Sequence, residues 1–292
     1  MNTIEILETG TTLLLPEDGQ EFSRAQFLTL SRLMLQYNAG QLSYDQFKIK
    51  LVYDFLGLVR SVDIQKEENI NLLENLSSIC GLVDNYFYEA EHEGKKVRSL
   101  HMTFFEQLIP YVVTRDQKFY GPSTALFNTC YGEYLQALTA FNEYSLNGDV
   151  QALHRMIATL YRPSKKGLKK RSDHREKFDA ATTDHYMKYM ARLSPVVKHA
   201  IYLFFASCQH FIVNCTELDI GGGNTIDLSV LFNNAGGSKK TQGLGWVGTL
   251  YGIAQTNVFG SVEKVAEQNT YDIFAFLVER HREMKALKTT KK

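Results

Sequence analysis

Apolar residues recur at helical spacing along most of the 292-residue chain, and this periodicity restricts the fold more than any other feature. Such spacing puts the apolar side chains on one face of a helix, and that face must be buried against another element. Residues that commonly cap helix N-termini precede several of these segments: Ser23, Ser43, Asp149 and Ser194. The sequence therefore predicts a mainly α protein.

The predicted architecture is a multi-helix, bundle-like protein with a short N-terminal β-hairpin and a Gly/Asn-rich loop. Residues 3–15 are rich in β-branched residues on both sides of Thr9-Gly10, which predicts the hairpin. The expected regions are an N-terminal hairpin and helical module over 1–83, a central helical domain over 84–215, a mobile glycine-rich loop over 216–242, and C-terminal helices over 243–292.

Within the central domain, Gly132–Tyr144 and the helix capped by Asp149 predict a tight helical hairpin. Val97–Phe105 is the expected strand. The apolar run Ala200–Asn214 predicts a buried helix, opened by Ser194-Pro195 as N-cap and first-turn proline. That run is expected to be too short to span a bilayer.

The composition excludes a strong global charge. Lys plus Arg equals Asp plus Glu at 32 each, so no overall field favours nucleic acid or a membrane surface. The four cysteines are Cys80, Cys130, Cys208 and Cys215. They form no C-x-x-C pair, and no leader-like pattern precedes them, so we expect reduced, unligated thiols in a cytoplasm.

The stretch GLGWVG at 243–248 fits G-x-G-x-x-G, a pattern of dinucleotide-binding loops. That loop requires a buried strand before it and an acidic residue about 20 positions later. A polar, glycine-rich stretch precedes Gly243, and the distant positions are Gln268, Asn269 and Thr270. We therefore expect no nucleotide and no other cofactor here. Trp246 instead begins a helix in which Gly248 and Gly252 permit close packing.

No arrangement of residues in the sequence predicts catalysis. GGSKKT at 236–241 lacks the glycine that a phosphate loop places before its lysine, and the eight histidines do not cluster as metal ligands. His174 and His281 each precede an arginine in a charged stretch, which indicates solvated side chains. We expect a protein that is not an enzyme, although an enzyme with an unseen site stays a third hypothesis.

Residues 162–177, RPSKKGLKKRSDHREK, carry eight basic residues against two acidic ones. Such a cluster predicts contact with phosphates or with an acidic protein surface, or simply a solvated loop. The chain is neutral overall and no aromatic side chains interleave the cluster, which favours a solvated loop over nucleic acid. If the loop does contact a partner, a protein is the favoured one. The candidate contact residues are Lys165, Lys166, Lys169, Lys170, Arg171 and Trp246.

Several stretches together resemble a family of uncharacterised proteins from tailed phages and prophages of the Bacteroidota. They are LLLPEDGQEFSRAQFLTLSRLM from Leu13, FYGP at 119–122, YGEYLQALTAFNEY at 131–144, GDVQALHRMIATLYRP at 148–163, HREKFD at 174–179, and the C-terminal GWVGTLYGIAQTNVFGSVEKVAEQNTYDIFAFL. The resemblance spans about Leu13 to Leu277, and its motifs are apolar and structural. It implies a place among virion and tail-assembly genes, but no catalytic residue.

The expected function is therefore binding of another protein. The resemblance suggests a phage tail assembly chaperone or a minor tail or virion component, with a tape-measure or tail protein as partner. Its location would be the cytoplasm of the bacterial host or the virion, with no membrane contact. The alternative is a nucleic-acid-binding phage protein that uses the basic loop 162–177.

Overall fold

The computed structural model describes residues 1–6, 10–59, 70–92, 95–115, 117–164, 173–232 and 245–289. The chain forms two compact units. The first comprises Met1–Phe104 with Pro195–Leu203, and the second comprises Phe105–Ser194 with Phe204–Lys292. Ten α-helices and four small sheets lie within the described ranges. The fold is thus mainly α with short strands, and it is not purely a bundle of helices.

The first unit begins with the predicted hairpin. Strands β1 (Asn2–Ile6) and β2 (Thr11–Leu15) pair antiparallel, with Gly10 at a positive φ of 63° in the turn. Three helices follow, α1 (Arg24–Asn38), α2 (Tyr44–Leu56) and α3 (Ile70–Leu82), and then a second hairpin of β3 (Phe87–His92) and β4 (Lys95–Leu100). The hairpin, both serine caps and the third helix of the predicted module are confirmed. The predicted strand at Val97–Phe105 overlaps β4, but its partner β3 was not predicted.

Local sequence explains the starts of α1 and α2. The Ser23 side chain accepts from the backbone N–H of Gln26, and the Gln26 side chain in turn accepts from the backbone N–H of Ser23. Ser43 and Gln46 form the same reciprocal pair at α2. Each pair satisfies two backbone donors that have no partner within the helix.

Aromatic rings fill the core of the first unit. The Phe22 ring packs edge-on against the rings of Phe104 and Phe55, with centroids 5.1 and 5.3 Å apart. Gly19 lies so close to the Thr103 carbonyl that a Cβ would stand 2.2 Å from its oxygen. Only glycine fits there, since carbon and oxygen atoms cannot approach to that distance.

The second unit combines helices with a three-stranded sheet. Its strands are β5 (Tyr111–Thr114), β6 (Gln117–Tyr120) and β7 (Arg162–Pro163), in the order β5-β6-β7. Its helices are α4 (Tyr131–Asn147), α5 (Val150–Leu160), α6 (Ala180–Met190), the Phe204–Asn214 part of α7 (Pro195–Asn214), α8 (Gly245–Gln255), α9 (Val262–Glu267) and α10 (Thr270–Thr289). Strands β8 (Leu218–Gly221) and β9 (Asn224–Ile226) form a further hairpin.

Helices α4 and α5 form the predicted helical hairpin. Gly148 ends α4 in the left-handed conformation, and the Asp149 side chain caps α5 by accepting from the N–H of Gln151. Beside this pair, Gly121 brings the backbone against the Tyr161 ring, where a Cβ would stand 2.7 Å from two ring carbons. The predicted turn at Tyr120-Gly121-Pro122 therefore also requires glycine for space.

The prediction of a mobile loop over 216–242 is wrong for its first half. The β8–β9 hairpin occupies Leu218–Ile226, and the apolar side chains at its two ends are buried. The glycines at 221–223 all have positive φ, so they form the turn. Residues 233–242 lie outside the described ranges.

Helix α7 is the buried apolar helix that the sequence predicts. The whole helix has 20 residues and, by length and composition, is long and apolar enough to cross a membrane. The expectation from Ala200–Asn214 alone that it is too short is therefore wrong. Core helices share these properties, and Ile201, Phe205 and Cys208 on α7 are fully buried.

Candidate functional site

The second unit buries one carboxylate, Glu133, between two arginines. Glu133 lies in the first turn of α4, and its side chain is 1% exposed. The Arg162 guanidinium of β7 contacts both carboxylate oxygens, with Nη1 2.9 Å from Oε1 and Nη2 3.1 Å from Oε2. Arg175 Nη1 donates to Oε1 as well. A buried charge is tolerated only when it is paired and hydrogen-bonded, and Glu133 is both.

Every N–H of the Arg175 guanidinium has an acceptor. Its Nε and Nη2 donate to the Asp173 carboxylate at 3.0 and 2.9 Å. Nη1 also donates to the Leu160 carbonyl, and Nη2 to the Asn128 carbonyl, each at 3.0 Å. Burial alone would lower the pKa of Arg175, but the carboxylates of Glu133 and Asp173 raise it above its usual value. The cluster of Glu133, Arg162, Asp173 and Arg175, which we call the arginine clamp, thus contains two formal charges of each sign and is electrically balanced.

A cavity of about 610 Å³ opens beside the arginine clamp. Among the described residues, six acidic side chains line it (Glu133, Asp173, Glu176, Asp179, Glu263 and Glu267) against three basic ones (Arg162, Arg175 and Lys177). Lys177 is paired with Glu267 at 2.6 Å. Cys130 also lines the cavity, but burial, and then the Glu133 charge, raise the pKa of its thiol. A protonated thiol is a poor nucleophile, so this cavity offers acidic walls rather than an activated group.

The sheet next to the clamp presents aromatic rings and a lysine on one face. Tyr111 pairs with Tyr120, and Val113 with Lys118, so these four side chains share a face. Lys118 Nζ lies 3.7 Å from the Tyr111 ring centroid and 4.9 Å from that of Tyr120. The His174 ring lies 6.1 Å from the Tyr120 ring. We call Tyr111, Lys118, Tyr120 and His174 the tyrosine face.

The opposite side of the same sheet belongs to the core. Val112 and Phe119 are 4% and 0% exposed, and the Phe119 ring packs against Tyr186 and Tyr189 of α6. Lys118, His174 and Val113 are exposed, while both tyrosines of the tyrosine face are half-buried. The sheet is therefore anchored from behind, while Val113, Lys118 and His174 on its other side are exposed to solvent.

The arginine clamp also holds the two ends of the basic stretch. Ser164 and Arg175 form an antiparallel bridge, and the N–H of Glu176 donates to the Pro163 carbonyl at 2.9 Å. The interpretation of 162–177 as a solvated loop is wrong for these ends, since Arg162 and Arg175 are buried. Their partner Glu133 is remote in sequence, so no local pattern marks it.

Between those ends lies the segment 165–172, KKGLKKRS, which we call the basic segment. Its five cationic residues, Lys165, Lys166, Lys169, Lys170 and Arg171, lie outside the described residues. Trp246 is the second residue of α8, as predicted, and its side chain lies outside the described part of the chain. The structure therefore brings together the two ends of the basic segment, but it does not relate the segment to Trp246.

The glycine pattern at 243–248 is described only from Gly245 onward, where α8 begins. Residues 233–244, which would contain the required strand, lie outside the described ranges. The absence of nucleotide binding therefore stays a prediction.

One serine–histidine contact invites comparison with a catalytic pair. In the first unit, Ser31 Oγ donates to the Val196 carbonyl at 2.9 Å and lies 2.9 Å from His199 Nδ1. Burial lowers the pKa of His199 to about 4. Ser31 is 0% exposed, so no substrate carbonyl can reach its oxygen. The contact ties α1 to the beginning of α7, and its geometry is structural rather than catalytic.

The cysteines show no sign of a shared site. Cys80 and Cys208 are buried, Cys130 and Cys215 are half-buried, and none is in a disulfide. Burial raises the pKa of all four thiols. No group of histidine, cysteine or acidic side chains within the described ranges is arranged to hold a metal ion.

No family model, curated protein or solved structure matches this chain. The resemblance to phage and prophage proteins therefore remains a prediction from the sequence alone.

Proposed function

We propose that the protein is a non-enzymatic nucleic-acid-binding protein of a tailed phage or prophage. The observation that carries this proposal is the position of the basic segment's two ends. The Ser164–Arg175 bridge holds them side by side, next to the tyrosine face. In the sequence, the neutral net charge and the absence of interleaved aromatic side chains both count against nucleic acid. Strands β5 and β6 place aromatic side chains beside one end of the basic segment, which supports nucleic acid as the partner.

The chemistry of the basic segment suits phosphate. Lysine and arginine that neutralise phosphates release condensed counterions, and this release drives much of the affinity of nucleic-acid-binding proteins. The neutral net charge of the chain does not oppose it, because charge interactions are screened over about 8 Å at physiological ionic strength. Five cations within eight residues therefore act as a local positive field.

In this proposal the arginine clamp fixes the positions of the basic segment's two ends and does not itself bind phosphate. Arg162 and Arg175 are ion-paired with Glu133 and Asp173, so neither guanidinium is available to a phosphate. Because both ends of the basic segment are fixed, less conformational entropy is lost when the segment binds. We therefore assign phosphate contact to the basic segment and support of that segment to the clamp.

The second candidate is the assembly role that the resemblance implies, in which the chain binds a tape-measure or tail protein. The acidic cavity favours it, since Glu263 and Glu267 would repel phosphate but attract a basic protein segment. The half-buried Phe178 ring adds an apolar contact in the same cavity. The bacterial cytoplasm and the virion are the proposed locations for either role.

A pair of charge-matched variants tests the first proposal. The segment variant replaces Lys165, Lys166, Lys169, Lys170 and Arg171 with glutamine. The control variant makes the same change in net charge by replacing five exposed cationic residues elsewhere, Lys50, Lys188, Arg192, Lys264 and Lys285. Fluorescence anisotropy would compare labelled DNA and labelled polyglutamate of similar charge, at about 0.15 M salt.

At this salt concentration we expect the control variant to bind DNA like the wild type and the segment variant to bind far more weakly, so that its binding is measurable only at lower salt. Equal binding of polyglutamate and DNA would indicate that the segment recognises acidic polymers in general, which favours an acidic protein partner. Absence of DNA binding by the wild type would contradict the proposal. For the second candidate, Glu263→Lys with Glu267→Lys should abolish capture of a tail protein from prophage-induced cells and leave DNA binding intact.

A further inference from the structure

We infer that the tyrosine face stacks unpaired bases, so that the nucleic acid bound by this protein is single-stranded. The inference rests on the proposed function, because it names which nucleic acid the same surface takes. A duplex offers phosphates to the basic segment, but its base faces are covered by neighbouring base pairs. Only unpaired bases offer a free face to an aromatic ring.

The two tyrosines are placed for such contacts. Tyr111 and Tyr120 are opposite each other on neighbouring strands, with ring centroids 6.5 Å apart and ring planes at 54°. At this angle the two rings are not stacked on each other, so each could stack with a separate base. His174 adds a third ring beside Tyr120, and it follows the last residue of the basic segment, Ser172, by two positions.

Lys118 is the residue that links ring contact to phosphate contact. Its ammonium group lies within cation–π distance of both tyrosine rings, at 3.7 and 4.9 Å from their centroids. A base that stacks on Tyr111 would displace the Lys118 ammonium group toward the sugar-phosphate backbone of the bound nucleic acid. There the ammonium would contact a phosphate. The face therefore exchanges one electrostatic contact for another when nucleic acid binds.

The rings of the tyrosine face are not required to complete the core. The inward side chains Val112 and Phe119 already fill that side of the sheet. On the outer side Val113 is 57% exposed, so an apolar contact surface continues beside the rings. An acidic peptide would need Lys118 but would gain little from two ring faces, and this separates a protein ligand from unpaired bases.

The test compares oligothymidine of about 20 nucleotides with a duplex of equal length, in the anisotropy assay with the full-length chain. Wild type should bind the single strand at least about tenfold more tightly than the duplex. Tyr111→Ala and Tyr120→Ala should each weaken single-strand binding by about tenfold and leave duplex binding unchanged, because one stacked base is lost in each. Oligouridine of the same length tests whether RNA is bound as well.

Two further kinds of substitution, to phenylalanine and to leucine, separate ring loss from misfolding. Tyr111→Phe and Tyr120→Phe keep the rings and should bind like the wild type, whereas Tyr111→Leu and Tyr120→Leu keep apolar bulk without a ring and should bind like the alanine variants. Tyr251→Ala removes a tyrosine that is 49% exposed on α8 and should change nothing. Circular dichroism and thermal unfolding would verify that each variant is folded.

The possible outcomes separate the two proposals. Equal affinity for single strand and duplex, with full binding by the leucine variants and loss only in the segment variant, would overturn base stacking and leave the proposed function standing. Lack of any binding to either form would overturn both. Binding of polyglutamate that depends on Lys118 but not on the rings would assign the face to an acidic peptide instead.

Discussion

The two units of the molecule each bury a polar centre, and the two centres differ in kind. In the second unit, the arginine clamp buries formal charges of both signs, and every N–H of its Arg175 guanidinium has an acceptor. In the first unit, Ser31 and His199 form a neutral contact between two helices. Removing one partner from a buried ionic centre leaves an unpaired charge and costs much stability. Removing one partner from a neutral contact costs less, but protonation of that contact introduces a buried charge. The comparison predicts where each unit is most easily broken.

Loss of the Glu133 charge should have the largest effect. Glu133→Gln leaves two buried guanidinium groups without their shared carboxylate, and removing one partner of a buried ion pair typically costs about 3–5 kcal/mol. We expect the free energy of unfolding, measured by urea denaturation, to fall by that amount.

The matched control for this variant is Glu143→Gln on the same helix. Glu143 pairs with Arg155, and both side chains are about 40% exposed. Exposed pairs contribute about 0–1 kcal/mol, so this control should stay near the wild type. Equal effects of the two substitutions would contradict the distinction between the clamp and a surface pair.

Low pH should destabilise the first unit through the neutral Ser31–His199 contact. The pKa of His199 is lowered from 6.5 to about 4 in the folded chain, so the unfolded chain binds more protons between these values. Stability contributed by neutral His199 is therefore complete above pH 6.5 and is lost as the pH falls toward 4. The loss amounts to at most about 3.5 kcal/mol, because each pH unit between the folded and unfolded pKa values corresponds to roughly 1.4 kcal/mol.

His199→Asn keeps a side-chain donor near Ser31 and does not titrate. The difference in unfolding free energy between wild type and this variant, measured from pH 7 to pH 4, should therefore move in favour of the variant as the pH falls. A difference that stays constant across this range would mean that His199 titrates normally and is not a buried neutral group.

The smallest effect on stability should come from the basic segment. Neutralising its five cations should change the free energy of unfolding by less than about 0.5 kcal/mol, because surface charges seldom contribute more. Thermal unfolding of the segment variant and the control variant would check this. A destabilisation of several kcal/mol would mean that some of these cations have buried partners, as Arg162 and Arg175 do.

Local signals in the sequence predict most of the helices. Ser23, Ser43 and Asp149 act on backbone groups only two or three residues away, so their effect can be read from adjacent positions. Gly148 likewise ends α4 through its own conformation. These elements need no information from distant parts of the chain.

The candidate site could not be predicted in the same way. Glu133 precedes the apolar positions of α4, where an acidic residue in the first turn is expected for any helix. Its partners Arg162 and Arg175 belong to a two-residue strand and to an irregular segment, neither of which has a periodic pattern. Tyr111 and Tyr120 precede Lys165 by 54 and 45 residues, and only tertiary structure brings Tyr120 next to His174.

The salt dependence of binding to oligothymidine tests the central claim most directly. If the basic segment contacts phosphates, the logarithm of the association constant should fall linearly with the logarithm of salt concentration, with a slope of about −0.7 for each phosphate neutralised by a single-strand binder. The slope of the segment variant should then be shallower than that of the wild type by about 3.5, corresponding to five lost contacts. Wild-type binding with no salt dependence, or equal slopes for the two proteins, would contradict the account.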